Sequence, residues 1–338
     1  MRRLCAGCLN WNQSERRKNV KRNRILIGTR GSKLARWQAD YAAASLQAAH
    51  PGLVVEQRIL TTKGDRILDV PLAQIGGKGL FTKEIERSLL DGQIDLAVHS
   101  LKDMPSAMPD GLVLAAVTQR SAAGDVLVSR EQRSFWCLPA GARIGTSSLR
   151  RRAQLLHARP ELQVESLRGN VDTRLQKLED GVFDAIVLAE AGLQRLGYAD
   201  RITERLPFSL CLPAVGQGAL ALETRADDAE MIELLDCLRD ADAMACAAAE
   251  RSFLSRIEGG CQIPVGVYAS LQADGRLRIE AVIASLDGQQ LYREHRIGSR
   301  ETAEFLGQQL AERLLDAGGQ DILHALGLLL DRPSYTGR

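Results

Sequence analysis

Ile25-Leu26-Ile27-Gly28-Thr29-Arg30-Gly31-Ser32 opens the readable part of the chain: a short apolar run, then a turn carrying a cation and two hydroxyls. Ser32 to His50 reads as a helix that Pro51-Gly52 stops. Val54–Leu60 follows as a strand, Phe81–Leu90 as a helix and Ile94–Val98 as a buried strand. Strands alternating with helices predict an α/β fold on a largely parallel sheet.

The pattern restarts after Gly124-Asp125. Asp125–Ser129, Arg143–Gly145, Leu162–Leu167 and Phe183–Leu188 read as strands, with helices over Ser148–Ala158 and Val171–Leu178. Pro207 and Pro213 punctuate the exit from this second unit. Helices are expected over Asp227–Arg239 and Ala243–Ile257, and then the period changes. Val265–Leu271, Leu277–Ser285 and Leu291–Ile297 alternate with period two and are separated by Asp-Gly turns, the mark of an antiparallel sheet. Helices at Glu301–Asp316 and Asp321–Leu330 complete an α+β unit.

With 338 residues, the chain exceeds one ordinary domain. Apolar residues make up 45% and aromatics only 4%, so the cores must be aliphatic. There are 44 basic and 42 acidic residues, which argues against a non-specific nucleic-acid binder. No run approaches the roughly 18 apolar residues that span a membrane. Cys5, Cys8, Cys137, Cys211, Cys237, Cys246 and Cys261 are odd in number and irregularly spaced, unlike a disulfide framework. Cys5 and Cys8 have no second pair at zinc spacing, so no metal site is expected. Met1 to Arg24 is basic without a hydrophobic segment and reads as a disordered extension or a weak organelle-targeting signal.

Ligands of open α/β sheets bind at the carboxyl ends of strands, where helix N-termini also point. Thr29-Arg30-Gly31-Ser32 offers N–H groups, a hydroxyl and a guanidinium to a carboxylate or phosphate; equally, Ser32 caps the helix and Arg30 is solvated. Gly145-Thr146-Ser147-Ser148-Leu149-Arg150-Arg151-Arg152 is a second such corner. Consecutive helix residues point about 100° apart, so the three arginines cannot share a face, and Arg152 is expected in solvent. Cations at a helix N-terminus oppose its dipole, which favours an anion beside Arg150 and Arg151. The third strand end is His99-Ser100-Leu101-Lys102-Asp103-Met104-Pro105, suited to ligand binding or proton transfer, or else a plain turn; His99 reads as a satisfied core histidine. Arg168-Gly169-Asn170 and Arg174 add further cations. Gly76-Gly77-Lys78-Gly79-Leu80-Phe81 lacks phosphate-loop spacing and reads as a cleft-side loop. The residues thus predict a cleft between two α/β units for a ligand of several negative charges, without specifying a reaction.

These stretches, with Trp37-Gln38-Ala39, Leu167-Arg168-Gly169-Asn170-Val171, Pro213-Ala214-Val215-Gly216-Gln217-Gly218 and Glu258-Gly259-Gly260-Cys261-Gln262-Ile263-Pro264, resemble the porphobilinogen deaminase (hydroxymethylbilane synthase) family in order and spacing from about residue 24 onward. The resemblance implies two periplasmic-binding-protein-like α/β domains plus a C-terminal α+β domain with a three-stranded antiparallel sheet. The expected division is 1–23 as extension, 24–120 with 218–237 as a discontinuous first domain, 124–212 as the second and 241–332 as the third. It implies a cytoplasmic, monomeric transferase of tetrapyrrole and heme biosynthesis, with no nucleic-acid or membrane partner. Four porphobilinogen molecules would be condensed head to tail, with loss of ammonia, on a dipyrromethane primer held by a thioether to Cys261. A thiolate suits attack on an electrophilic methylene.

By the same resemblance Asp103 is catalytic, stabilising a cationic substrate-derived species and shuttling protons. Arg30, Ser32, Ser100, Lys102, Asp103, Thr146, Ser147, Ser148, Arg150, Arg151, Arg168, Gly169, Arg174 and Gln217 match cofactor-binding positions. Arg30, Phe81, Arg120, Arg168, Arg174 and Arg195 match substrate-binding ones. Two readings compete. A two-lobed binder of polyanions or metabolites explains the arginines but not Cys261 on a third unit. A nicotinamide oxidoreductase fails because no G-x-G-x-x-G follows the first strand.

Overall fold

Strand β1 (Arg24–Arg30) lies between β2 (Val54–Leu60) and β3 (Leu96–Ser100), parallel to both. This is a computed structural model, and it describes residues 22–66, 79–257 and 263–327. Residues 1–21, Gly76-Gly77-Lys78, Cys261 and residues 328–332 lie outside the described residues. Helix α1 (Lys33–Ala49) starts where the Ser32 hydroxyl accepts a hydrogen bond from the Ala35 N–H at 3.2 Å. It buries Ala35, Gln38, Ala39, Ala42 and Leu46, an i, i+3, i+4 stripe, over the sheet. Helix α2 (Lys83–Leu90) covers the opposite face with Ile85 and Leu89.

The first sheet is completed by β4 (Leu112–Val117) and by a strand from much later in the chain. The second contains β5 (Asp125–Ser129), β6 (Arg143–Gly145), β7 (Gln163–Glu165), β8 (Ala185–Ala189) and the short β9 (Glu204–Arg205). The late strand of the first sheet is β10 (Leu220–Arg225). The orders β2-β1-β3-β10-β4 and β7-β6-β8-β5-β9 are equivalent. In each sheet four strands run one way, and the fifth, β10 or β5, runs against them. The sheets are largely parallel as expected, with one antiparallel strand added in each. Each odd strand follows a crossover from the other lobe, so it enters from the opposite end.

Helices α3 (Leu149–Ala158), α4 (Val171–Glu179) and α5 (Glu190–Arg195) flank the second sheet. The crossovers run side by side: Gly218, at φ +94°, passes so close to Ser121 and Ala122 that a Cβ there would meet their carbonyl oxygens at 2.8 and 2.9 Å. Two residues before β1, Arg22 donates to Asp228 from its guanidinium and to Glu230 from its backbone N–H.

Helix α6 (Ala229–Leu234) packs into the first lobe's core, and the third unit then sets α7 (Ala241–Arg256) and α8 (Ala303–Leu314) on one face of the antiparallel sheet β11 (Val265–Leu271), β12 (Leu277–Ala284) and β13 (Leu291–Gly298). It docks on the second crossover: Val267 N–H donates to Pro213 O at 2.9 Å, and Arg293 donates to Phe208 and Ser209 carbonyls.

Candidate functional site

Both sheets end at the crossovers, and the strand-end residues collect there. The second-lobe corner is organised by a buried carboxylate. Asp125, at the first residue of β5, receives Arg150 Nη1 at 2.6 Å and Arg151 Nη2 at 2.7 Å, and all three side chains are less than 8% exposed. Arg150 also donates to Leu212 O at 2.7 Å, and Arg151 to Val187 O at 2.8 Å. Gln217 Nε2, from the second crossover, donates to Asp125 at 2.9 Å. Burial by itself would raise the Asp125 pKa, but the two guanidinium groups outweigh it and hold the carboxyl far below its ordinary range. The anion beside Arg150 and Arg151 is thus the protein's own Asp125 carboxylate, where the dipole argument points to an anionic ligand. Arg150 and Arg151 turn inward to it, while Arg152 is exposed.

The first-lobe corner is different. After β3, the turn Leu101–Asp103 places Lys102 and Asp103 half-buried at the strand end. Leu101 N–H donates to Ala219 O at 3.0 Å, which ties this turn to the crossover. Gln38, buried on α1, donates to the Ser100 hydroxyl at 2.8 Å. Arg30 stacks over the Phe81 ring, 4.2 Å from its centroid. His99 is a core histidine as read, bonded to Glu223 at 3.0 Å.

Between the corners lies a field of mutually repelling cations. Burial pushes Lys102 down to about 8; Asp103 opposes the shift, and Arg151 and Arg150 add to it. Burial likewise pushes Arg174 down to about 10, with Arg151 and Arg168 acting the same way and Asp103 opposing. Asp103, Lys102, Arg151, Arg168 and Arg174 thus share one electrostatic neighbourhood although they come from both lobes. Lys33 reaches across to Asp172 at 3.2 Å, and Tyr198 donates to the same carboxylate.

Several hydroxyls close local turns. Thr146 accepts from Ser148 N–H, Ser147 donates to Leu167 O, and Ser148 caps α3 through Arg151 N–H. Gly169 stands at φ +116° before α4, and its carbonyl accepts from Arg174 Nε at 2.8 Å. Arg195 sits over Trp37 and donates to Gly218 O at 2.7 Å, bridging the second lobe to the crossover. Arg120 is placed elsewhere: it forms a two-pronged pair with the fully buried Glu250 of α7, each contact 2.7 Å, and so joins the first crossover to the third unit.

Sequence reading missed Asp125, Glu250, Glu86 and Glu223. The available signal was a carboxylate inside an apolar run: Gly124-Asp125-Val126-Leu127, Ala247-Ala248-Ala249-Glu250 and Ala219-Leu220-Ala221-Leu222-Glu223. Among the described residues no group of His, Cys, Asp and Glu is arranged to hold a metal, and no helix is long and apolar enough to cross a membrane.

Residues 25–233 match the family model for the porphobilinogen deaminase dipyromethane cofactor binding domain, and residues 244–316 the model for the porphobilinogen deaminase C-terminal domain. A porphobilinogen deaminase of Desulforudis audaxviator is 54% identical over 302 residues, 89% of this chain and 97% of that one. One from Syntrophotalea carbinolica is 53% identical, over 90% of this chain and 96% of that one. Among solved structures, the periplasmic VFT2 domain of Bordetella pertussis BvgS aligns at TM-score 0.40 and 15% identity, over 64% of this chain and 87% of that one.

Proposed function

The chain belongs to the porphobilinogen deaminase family, and we propose that Asp103 is its catalytic carboxylate and Cys261 the anchor of its dipyrromethane. The protein is an enzyme of tetrapyrrole biosynthesis that joins porphobilinogen units head to tail, releasing ammonia, to form the linear hydroxymethylbilane. When bound, the dipyrromethane supplies the pyrrole carbon to which the first substrate is joined.

The observation that carries the site assignment is the cation field. Lys102 and Arg174 are both destabilised as cations, by burial and by neighbouring arginines. A ligand bearing several carboxylates relieves that repulsion, and a dipyrromethane with acetate and propionate arms has this chemistry. Arg168, Arg174, Lys102 and Arg30 would hold those arms. Ser100, oriented by Gln38, and the side-chain carbonyl oxygen of Gln217, buried and without a partner, would meet hydroxyl or pyrrole N–H groups. Phe81 and Arg195 would flank incoming substrate.

Asp103 stands among these cations as the carboxylate that can accept a pyrrole N–H. It would hold the positive charge that develops on the substrate as ammonia departs, and carry the proton released when the new bond forms. Arg150 and Arg151 would act from behind, as part of the Asp125 knot. Among the other thiols, burial pushes Cys211 up to about 12 and Cys246 up to about 11, which leaves them poor nucleophiles. The assignment as a transferase, a cytoplasmic location, a monomeric state, the absence of nucleic-acid partners and the domain limits 24–120 with 218–237, 124–212 and 241–332 complete the proposal.

Intact mass tests it. The purified protein should exceed its 36.9 kDa sequence mass by one dipyrromethane unit, and Cys261→Ser should lack that increment. An unmodified wild-type mass, or an increment retained by Cys261→Ser, overturns the anchor assignment.

A further inference from the structure

Beneath the Ser100–Asp103 turn lies a second cluster of titratable groups that the reaction outlined above does not use. His99 on β3 and Glu223 on β10 face each other across the antiparallel pair, where His99 is opposite Ala221 and Glu223 opposite Ala97. His99 Nε2 is 3.0 Å from Glu223 Oε2, and the side chains are 5% and 0% exposed. Glu86 comes down from α2 onto the same pair and is 6% exposed. Glu86 Oε1 and Glu223 Oε1 are both buried and neither has a hydrogen-bond partner. An apolar shell of Ile85, Leu89, Ile94, Ala97 and Leu112 closes that face of the sheet.

Two buried carboxylates in one apolar compartment cannot both ionise cheaply. The Glu86 pKa is raised, first by burial and then by the Glu223 carboxylate; Thr82, His99 and Lys83 act in the opposite sense. Arg225, two residues along β10 from Glu223, is occupied with the Leu89 and Ile94 carbonyls. A protonated Glu86 carries an O–H where Glu223 Oε1 has no donor.

We propose that Glu86, Glu223 and His99 form a buried proton-sharing triad that positions the Ser100–Asp103 turn. Glu86 supplies one proton to Glu223 and His99 donates to its other oxygen. This fixes β3 against β10 four residues before Asp103. The proposal rests on the reading of Asp103 as the catalytic carboxylate. The three are positioning residues: none touches substrate. Loss of the Glu86 proton as pH rises sets two carboxylates against each other and displaces the turn.

The test uses Glu86→Gln, Glu223→Gln and Asp103→Asn in the cofactor-loaded enzyme, with kcat and KM followed from pH 5 to 9.5. Glu223→Gln should lower kcat at least tenfold with KM within threefold. Glu86→Gln, which cannot deprotonate, should show a kcat–pH profile that differs from wild type by at least half a pH unit in one limb; Lys102 is common to both and cancels in the comparison. Superimposable kcat profiles for wild type and Glu86→Gln overturn the proposal even if Glu223→Gln fails to fold. A Glu223→Gln enzyme with wild-type kcat overturns it as well. If Asp103→Asn retains full turnover, the catalytic reading fails by itself, and a triad acting through Asp103 fails with it. An inactive Asp103→Asn beside a fully active Glu223→Gln removes the triad alone.

Discussion

The two α/β lobes have the same strand order and the same strand-to-helix corner, yet opposite electrostatic characters. The first lobe buries acids: Glu86 and Glu223 lie beside the strand that leads into the Asp103 turn. The second gathers guanidinium groups: Arg150 and Arg151 close on the buried Asp125, and Arg168 and Arg174 lie near each other and near Arg151. In both, a serine caps the helix that leaves the first strand, Ser32 in one and Ser148 in the other. Topology therefore provides the same backbone platform twice. On the proposed site assignment, the side chains then give one lobe the proton-handling group and the other the cations that receive carboxylates.

Removing the proton-handling group should have the largest effect. Asp103→Asn keeps the shape and removes the charge, so turnover should fall by roughly 10²–10⁴-fold, the range for a positioned acid–base group. The thermal midpoint should stay within a few degrees, since Asp103 is only half-buried. A variant with more than a tenth of wild-type kcat would dissolve the distinction between the lobes.

The charge-handling lobe should break through stability instead. Asp125→Ala leaves two buried guanidinium groups without their acid, a change worth about 3–5 kcal/mol when a buried pair loses one member. Denaturant unfolding should show it. The pH sign follows from the depressed folded-state pKa: the Asp125 contribution is complete above the ordinary carboxylate value of 3.8 and is lost as pH falls below it. Wild type should therefore lose stability on acidification in that window, and Asp125→Asn should lose less. Equal acid sensitivity in the two would mean that Asp125 is not the anion on which the arginines depend.

The smallest effect should come from Lys102, where the lobes meet. With its pKa near 8, it loses its charge as pH rises past that value and no longer attracts carboxylates. KM for porphobilinogen should rise about three- to tenfold between pH 7 and 9, and Lys102→Arg, which stays charged, should flatten that rise. A KM profile unchanged by the substitution would remove Lys102 from the binding surface.

The elements themselves were legible in the chain. Val54–Leu60, Asp125–Ser129, Arg143–Gly145 and Val265–Leu271 stand where alternation and turn residues put them, and the Ser32 and Ser148 caps were readable as local chemistry. Two elements were harder. β4 follows the turn signal Pro109-Asp110-Gly111 as a plain apolar run that sequence reading missed as a strand, and β9 spans only two residues, too short for any period to register. The one antiparallel strand in each sheet was not legible either, because strand direction depends on which end a crossover enters.

Sequence by itself determined the family, the two-lobed plan with its antiparallel third unit, and the presence of a cation-rich, Asp103-bearing cleft. Such features live in short contiguous stretches, where helix caps, turn chemistry and motif spacing act over a few residues. Tertiary structure alone decided which charges meet. Asp125 lies 25 residues before Arg150, and Glu223 lies 124 residues after His99. A buried charge is tolerable only beside its partner, and that partner is brought in by two crossover strands whose pairing no local pattern encodes. Of the arginines read as a surface for ligand, Arg150 and Arg151 are thus turned inward to Asp125 and Arg120 to Glu250.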